Sequence, residues 1–229
     1  MSKKIIISRY NEDVSWIDRY KISEDYDYVV YNKGEEELSD YNQIICKNIG
    51  NNQRDIFEFI FENYDNLPDY MVFLQGNPID HLISPIDFSG DVEKLLFDNL
   101  SELISREEFT YIENFDNRIN GSYSRLTDGY EEINNSWYIP ATNQFNNQTC
   151  RWLDFDHFMN DTFKNYTTQM WLRFTPGSQY VLTKEIALHY SKEFWGSLMN
   201  ILNRNGMTEG HIIERSLGLL FRCYLEPYI

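Results

Sequence analysis

A short apolar run that ends abruptly in polar residues is the feature that most constrains how this chain can fold. Residues 70–74 are all apolar or aromatic, and Gly, Asn, Pro, Asp and His follow within residues 76–81. Such a run predicts a strand covered on both faces, as in a parallel sheet flanked by helices. Ligands of open α/β sheets bind beyond the carboxyl ends of the strands. The alternative is a buried strand followed by an ordinary proline-containing turn.

The chain before this strand alternates between strand and helix patterns. Strands are predicted at residues 4–8, 28–31 and 43–47, and each is followed by a polar loop. An amphipathic helix with apolar positions 56, 59, 60 and 64 then ends before Pro68. This alternation predicts βαβ units and a largely parallel sheet. No G-x-G-x-x-G fingerprint or P-loop accompanies it, which argues against a dinucleotide site or an ATP-hydrolysing site of the usual kind.

The second half of the chain has a less regular pattern. Residues 113–150 are rich in Asn, Tyr, Gly and Ser and predict a long, functional insertion of loops and short strands, with disorder as the alternative. The other predicted elements are helices at 91–104, 155–166, 191–203 and 208–223 and strands at 109–112, 170–174 and 180–183, with a turn at 175–179.

Composition narrows the class of protein. The 229 residues are enough for one large domain, and 20 basic against 36 acidic residues give a formal charge of -16. That charge repels a phosphate backbone and argues against nucleic acid as a partner, although local donors can still bind a nucleotide. No apolar run approaches a membrane span or a signal peptide. The cysteines at 46, 150 and 223 are far apart, so we expect free thiols and a cytoplasmic location.

The last predicted helix contains a second candidate site. His211 and Glu214 are three positions apart and therefore share one helix face, whereas the apolar residues at 212, 213, 217 and 220 point to the core. A carboxylate and an imidazole can converge on a ligand from that face. The alternative is a solvated face with a local pair between Glu214 and Arg215.

Seven short motifs follow one another along the chain and carry a resemblance to a known family. They are Tyr-Asn-Glu-Asp-Val-Ser-Trp at 10–16, Tyr-Asn-Lys-Gly at 31–34, Lys-Asn-Ile-Gly at 47–50, Asn-Tyr-Asp-Asn-Leu-Pro-Asp-Tyr at 63–70, Phe-Leu-Gln-Gly-Asn-Pro-Ile-Asp-His at 73–81, Pro-Gly-Ser-Gln-Tyr at 176–180 and Ile-Glu-Arg at 213–215. They resemble a family of nucleotide-sugar transferases represented by the N-terminal glycosyltransferase domain of a chlorella virus protein. The resemblance covers about residues 5 to 222.

This resemblance implies a fold and an activity. The fold is a single GT-A-like α/β domain, a mixed and mainly parallel sheet flanked by helices, with a UDP-sugar lying across the strand tips. Residues 1–112 would form the nucleotide-binding half and residues 113–229 the acceptor-side half. The activity is transfer of a hexose from the UDP-sugar to a carbohydrate or glycan acceptor, in the host cytoplasm if the protein is viral. Oligomeric state is not indicated.

The resemblance also implies a divalent metal, Mn²⁺ or Mg²⁺. GT-A enzymes usually carry an Asp-x-Asp motif after the strand that corresponds to residues 70–74, but here the aligned triplet is Gln75-Gly76-Asn77. Neutral amides are weaker ligands than carboxylates for a hard cation. The nearest carboxylate is Asp80 and the nearest imidazole is His81, so we predict these two residues and His211 as metal ligands.

Further roles follow from the same resemblance. Glu214 is the first choice for the catalytic base and Glu209 the second. The residues predicted to bind the donor are Arg9, Tyr10, Asn11, Asn32, Lys33, Arg54, Gln75, Asn77, Ser178 and Gln179. Two other functions stay open: a nucleotide-sugar-binding or lectin-like protein without turnover, and a UDP-sugar hydrolase. The fold alone does not decide between them.

Overall fold

The polar loops predicted to follow the strands lie along one edge of a mixed sheet. A computed structural model of the protein describes residues 1–82, 89–112, 130–132, 151–152, 154–203 and 207–228. The strands in these ranges are β1 (Lys3–Arg9), β2 (Asp27–Asn32), β3 (Gln43–Ile45), β4 (Tyr70–Gln75), β5 (Thr110–Tyr111), β6 (Tyr130–Glu132), β7 (Trp171–Arg173) and β8 (Tyr180–Thr183). The helices are α1 (Trp16–Arg19), α2 (Ile22–Asp25), α3 (Asn51–Glu62), α4 (Val92–Ser105), α5 (Phe155–Thr162), α6 (Lys184–His189), α7 (Lys192–Ile201) and α8 (Met207–Arg222).

Within these residues the main sheet has six strands in the order β3-β2-β1-β4-β8-β5. The first four are parallel, and β8 pairs antiparallel with both β4 and β5. The pairing aligns Ser8 with Tyr31 and with Gln75, so β1, β2 and β4 end at nearly the same level. A separate two-stranded sheet joins β6 to β7. The predicted α/β class and the mixed, mainly parallel sheet are confirmed.

Side chains that alternate along the strands build a core on each face of the sheet. On one face, Ile6, Met71 and Phe73 pack in a cluster that includes side chains of α3, α5, α7 and α8. On the other, Ile5, Ile7 and Val72 pack in a cluster that includes side chains of α1 and α4. Because helices cover both faces, a ligand can reach the sheet only at its edges and strand ends.

Most predicted elements are present, and the differences have local causes. Helix α6 was not predicted, since its six residues are too few for a periodic pattern; the Thr183 side chain caps it by accepting from the Ile186 N–H. The predicted helix over 155–166 stops at Thr162, because Phe163 leaves the helix to bridge Pro227. Of the predicted insertion at 113–150, only β6 lies within the described residues.

Two further sequence predictions concern the thiols and the membrane. Cys46 and Cys223 are free thiols, and Cys150 lies outside the described residues. Within the described ranges, no helix is long and apolar enough to cross a membrane.

Candidate functional site

A cleft of about 460 Å³ lies at the carboxyl ends of β1, β2 and β4. Its lining includes Arg9 and Tyr10 after β1, Lys33 after β2 and Gln75 at the end of β4. The Pro176-Gly177 turn and α8 close the opposite side of the cleft. This is the position at which open α/β sheets bind ligands.

Arg9 and Asn32, both predicted to bind the donor, join the loops around the cleft. The buried Arg9 guanidinium donates to Asn32 Oδ1 (2.9 Å) and to the Glu12 carbonyl (3.0 Å) and pairs with the Glu36 carboxylate (2.8 Å). Asn32 Nδ2 donates to the Glu36 carbonyl (2.7 Å) and to Gln43 Oε1 (2.9 Å). Arg9 still lines the cleft, whereas Asn32 is buried beneath its lining.

Lys33 forms a buried ion pair at the base of the cleft. Its Nζ lies 2.8 Å from Asp55 Oδ2 and also donates to the Asn51 carbonyl. Both side chains of the pair are almost fully removed from solvent. Burial raises the pKa of Asp55 to about 6, and the positive charge of Lys33 opposes that shift.

The amino terminus of α3 brings polar amides into the cleft. Gly50 and Asn51 both adopt positive φ angles (71° and 52°), which turn the chain sharply into the helix. Asn52 Nδ2 donates to the Gly177 carbonyl (3.2 Å), and Gln53 Nε2 donates to Ser178 Oγ (2.7 Å). The first turn of α3 is thus joined to the turn before β8.

That turn positions the end of β4. Gly177 has a φ of 76°, and a Cβ there would lie 2.5 Å from the Gln75 amide and 2.7 Å from the His81 ring, so only glycine fits. Gln179 Oε1 accepts from the Gln75 N–H (3.2 Å), and Gln179 Nε2 donates to the Pro78 carbonyl (3.0 Å). Ser178 and Gln179 are buried, so they support the lining and are not part of it.

Glu214 is the acidic residue of α8 that reaches the cleft. Its Oε1 accepts from the Gly177 N–H (2.8 Å), and its Oε2 lies 3.8 Å from Nδ1 of His211, which also lines the cleft. The second candidate base, Glu209, is buried and accepts from the Arg151 N–H (3.2 Å) outside the lining. The geometry therefore separates the two candidates for the base.

The three predicted metal ligands do not line one cavity. His81 and His211 line the cleft, but Asp80 lines a neighbouring cavity of about 280 Å³, where its Oδ1 accepts from Asn77 Nδ2 (2.6 Å). Among the residues that the structure describes, no group of three or more His, Cys, Asp or Glu side chains could hold a metal ion. Asp80 and Asn77 thus belong to a different cavity from the two imidazoles.

Two predicted donor contacts also lie outside the lining of the cleft. The Arg54 guanidinium pairs with Glu58 and donates to Asn203 Oδ1 (3.1 Å). Asn11 is an exposed residue of the loop after β1. Tyr10 and Lys33, in contrast, line the cleft.

Several lining residues were not among the predicted site residues. They are Glu12, Asn48, Asn51, Asn52, Gln53, Pro176 and Gly177. All of them lie in the predicted polar loops or turn, or in the helix turn that follows the third strand. Their position after a strand was the available signal, but it did not show which side chains face inward.

A tryptophan of α1 is hydrogen-bonded to the residue that follows β4. Trp16 Nε1 donates to the buried Gly76 carbonyl (2.7 Å). We expect Trp16→Phe to lower the free energy of unfolding by about 1–3 kcal/mol, because the carbonyl loses its partner. Urea denaturation measures this change, and a loss below about 0.5 kcal/mol would mean that the bond contributes little.

Comparison with known proteins finds a family whose function is not known. A family model described as "Protein of unknown function (DUF3431)" matches residues 5–225. Neither the curated proteins nor the solved structures include a match to this chain.

Proposed function

The chain belongs to the family described as "Protein of unknown function (DUF3431)", and we propose that it is a glycosyltransferase of the GT-A type. It transfers a hexose from a UDP-sugar to a carbohydrate or glycan acceptor. The observation that carries the proposal is the Glu214 carboxylate, which faces a cleft at the strand tips and is fixed there by the Gly177 N–H. The mixed sheet flanked by helices agrees with the fold that the sequence resemblance implies.

The reaction needs a base and a polar environment for the leaving group. Positive charge develops on the sugar ring as the bond to the diphosphate breaks, and negative charge develops on the diphosphate. Glu214 takes the proton of the acceptor hydroxyl, whose oxygen attacks the anomeric carbon, and UDP leaves. The bond between Gly177 and Glu214 holds Oε1, so Oε2 is the oxygen that receives the proton.

The lining suits a nucleotide sugar in its chemistry. Five side-chain amides can donate to or accept from hydroxyl and phosphate oxygens, and the Tyr10 ring at the rim can stack on a base or a sugar. The volume of about 460 Å³ lies within the range of small-molecule sites. The implied Mn²⁺ or Mg²⁺ is a poor fit, because Asp80 is in the neighbouring cavity and the two imidazoles are in the cleft.

A turnover screen tests the proposal. We expect the protein to release UDP from one of a panel of UDP-hexoses and to form a saccharide product heavier by one hexose when mono- and oligosaccharide acceptors are present. Mass spectrometry of the products measures both. Free hexose that no acceptor suppresses would instead indicate a UDP-sugar hydrolase. UDP binding without any turnover would indicate the non-catalytic binding protein.

A further inference from the structure

The residues around the cleft provide amide donors where the sequence resemblance implies a metal. We infer, on the basis of the proposed function, that the cleft binds the diphosphate of its nucleotide through side-chain amides, without a bridging divalent cation. The ligand class is a nucleoside diphosphate.

The carboxylate closest in sequence to the end of β4 is directed to another cavity. Asp80 lines the cavity shared with Trp16 and Phe97 and accepts from Asn77. The three positions aligned with the usual metal motif carry two amides and a glycine. At Gly76, a Cβ would lie 2.8 Å from Glu12 Oε2, so a larger residue there would displace Glu12.

The two carboxylates among the described lining residues are each held by a backbone donor. Glu12 Oε2 accepts from the Tyr10 N–H (2.6 Å), and Glu214 Oε1 accepts from the Gly177 N–H (2.8 Å). They belong to the loop after β1 and to α8 respectively. Mg²⁺ in particular demands a near-ideal octahedron of oxygen ligands. Among the residues that the structure describes, no three His, Cys, Asp or Glu side chains form such a set.

The described lining carries no net charge, and its two cations are already paired, Arg9 with Glu36 and Lys33 with Asp55. Among the described lining residues, Arg9 and Lys33 are positive and Glu12 and Glu214 negative, which sums to zero with neutral histidines. The whole chain carries -16, so this cleft lacks the excess negative charge of the rest of the molecule. Local donors of this kind can oppose the overall field of an acidic protein.

Amide groups near β4 and α3 supply the hydrogen bonds. Asn48, Asn51, Asn52 and Gln75 all line the cleft. Each side-chain amide carries two N–H donors, and the Asn52 amide uses one of them on the Gly177 carbonyl. Hydrogen bonds to a charged phosphate oxygen are stronger than those between neutral groups. Several of them converging on one diphosphate can replace a metal ion as its source of stabilisation.

Calorimetric titration of UDP tests the inference. We expect the wild-type protein to bind UDP in EDTA with a Kd within about twofold of that in Mn²⁺, because no ion takes part. Asp80→Asn should leave the Kd unchanged. Gln75→Ala and Asn52→Ala should each weaken UDP binding by about tenfold in EDTA, the loss expected for a hydrogen bond to a charged group. Asn66→Ala, an exposed amide near the opposite end of β4, is the matched control and should have no effect.

The other outcomes distinguish failure of the metal-independent site from failure of the proposed function. UDP binding that requires Mn²⁺ and is abolished by Asp80→Asn would overturn the metal-independent site and leave the glycosyltransferase proposal standing. Binding in EDTA together with an inactive turnover screen would support the site and overturn the enzyme. Binding in neither condition would overturn the nucleotide site itself. Circular dichroism of each variant shows whether a weaker affinity reflects loss of the fold.

Discussion

Glu214→Gln is expected to lower the rate of hexose transfer by about 10²–10⁴-fold, the usual contribution of a general base. Glutamine has nearly the same shape and retains an oxygen that accepts from the Gly177 N–H, so the cleft keeps its geometry. It cannot take up the proton of the acceptor hydroxyl. The affinity for UDP should stay the same, because the change affects the acceptor and not the nucleotide.

Glu209→Gln is the matched control, because it makes the same chemical change five positions earlier on α8. Glu209 is buried and accepts from the Arg151 N–H, a bond that glutamine can also make. Steady-state rates and UDP titrations of both variants measure the difference. A Glu214→Gln protein with full activity, or a Glu209→Gln protein that is folded but inactive, would contradict the assignment of the base.

Lys33→Met is expected to lower the free energy of unfolding by about 3–5 kcal/mol near neutral pH. The substitution leaves the buried Asp55 carboxylate without the ammonium that lies 2.8 Å away. A buried charge without its partner is far more costly than an exposed one. Lys21→Met, which removes an exposed partner of Glu24, serves as the control and should cost less than about 1 kcal/mol.

The pH dependence of this effect follows from the titration of Asp55. Its pKa in the folded protein is about 6 against an ordinary value of 3.8, so the stability contributed by Asp55 is full below pH 3.8 and is lost as the pH rises toward 6. Without the opposing charge of Lys33, the pKa of Asp55 rises further, and the loss extends to higher pH. Lys33→Met should therefore lower the free energy of unfolding by less at about pH 5 than at about pH 7.5. Urea denaturation at both values measures this, and an equal reduction at both would contradict the buried ion pair.

The framework of the sheet could be predicted because its signals are local. An apolar run such as residues 70–74 identifies a strand wherever it lies in the chain, and the polar residues after it identify the strand end. The parallel arrangement then places the ends of β1, β2 and β4 at one edge. The position of the cleft follows from these facts alone.

The roles of individual side chains depend on contacts between distant segments and were less predictable. Arg9 is predicted to bind the donor, and its guanidinium is bound by Asn32 at the end of β2 and by Glu36 in the loop that follows. Asp80 turns to Asn77 within its own short helical turn. No pattern in the sequence shows either contact.

The period of the helix separates the two candidate bases on α8. Residues five apart on an α-helix are separated by about 140° around its axis. Glu209 and Glu214 therefore cannot both face one cleft, whereas His211 and Glu214, three apart, can. The structure places His211 and Glu214 in the cleft and Glu209 in the interior.

A crystal structure of the complex with UDP tests most directly the claim that the strand-tip cleft is the nucleotide-sugar site. We expect a diphosphate within hydrogen-bond distance of Asn52 or Gln75 and a uracil or ribose ring near Tyr10. Glu214 should remain bonded to the Gly177 N–H through Oε1, with Oε2 facing the place of the sugar. UDP bound in the Asp80 cavity, or away from the ends of β1, β2 and β4, would contradict the account.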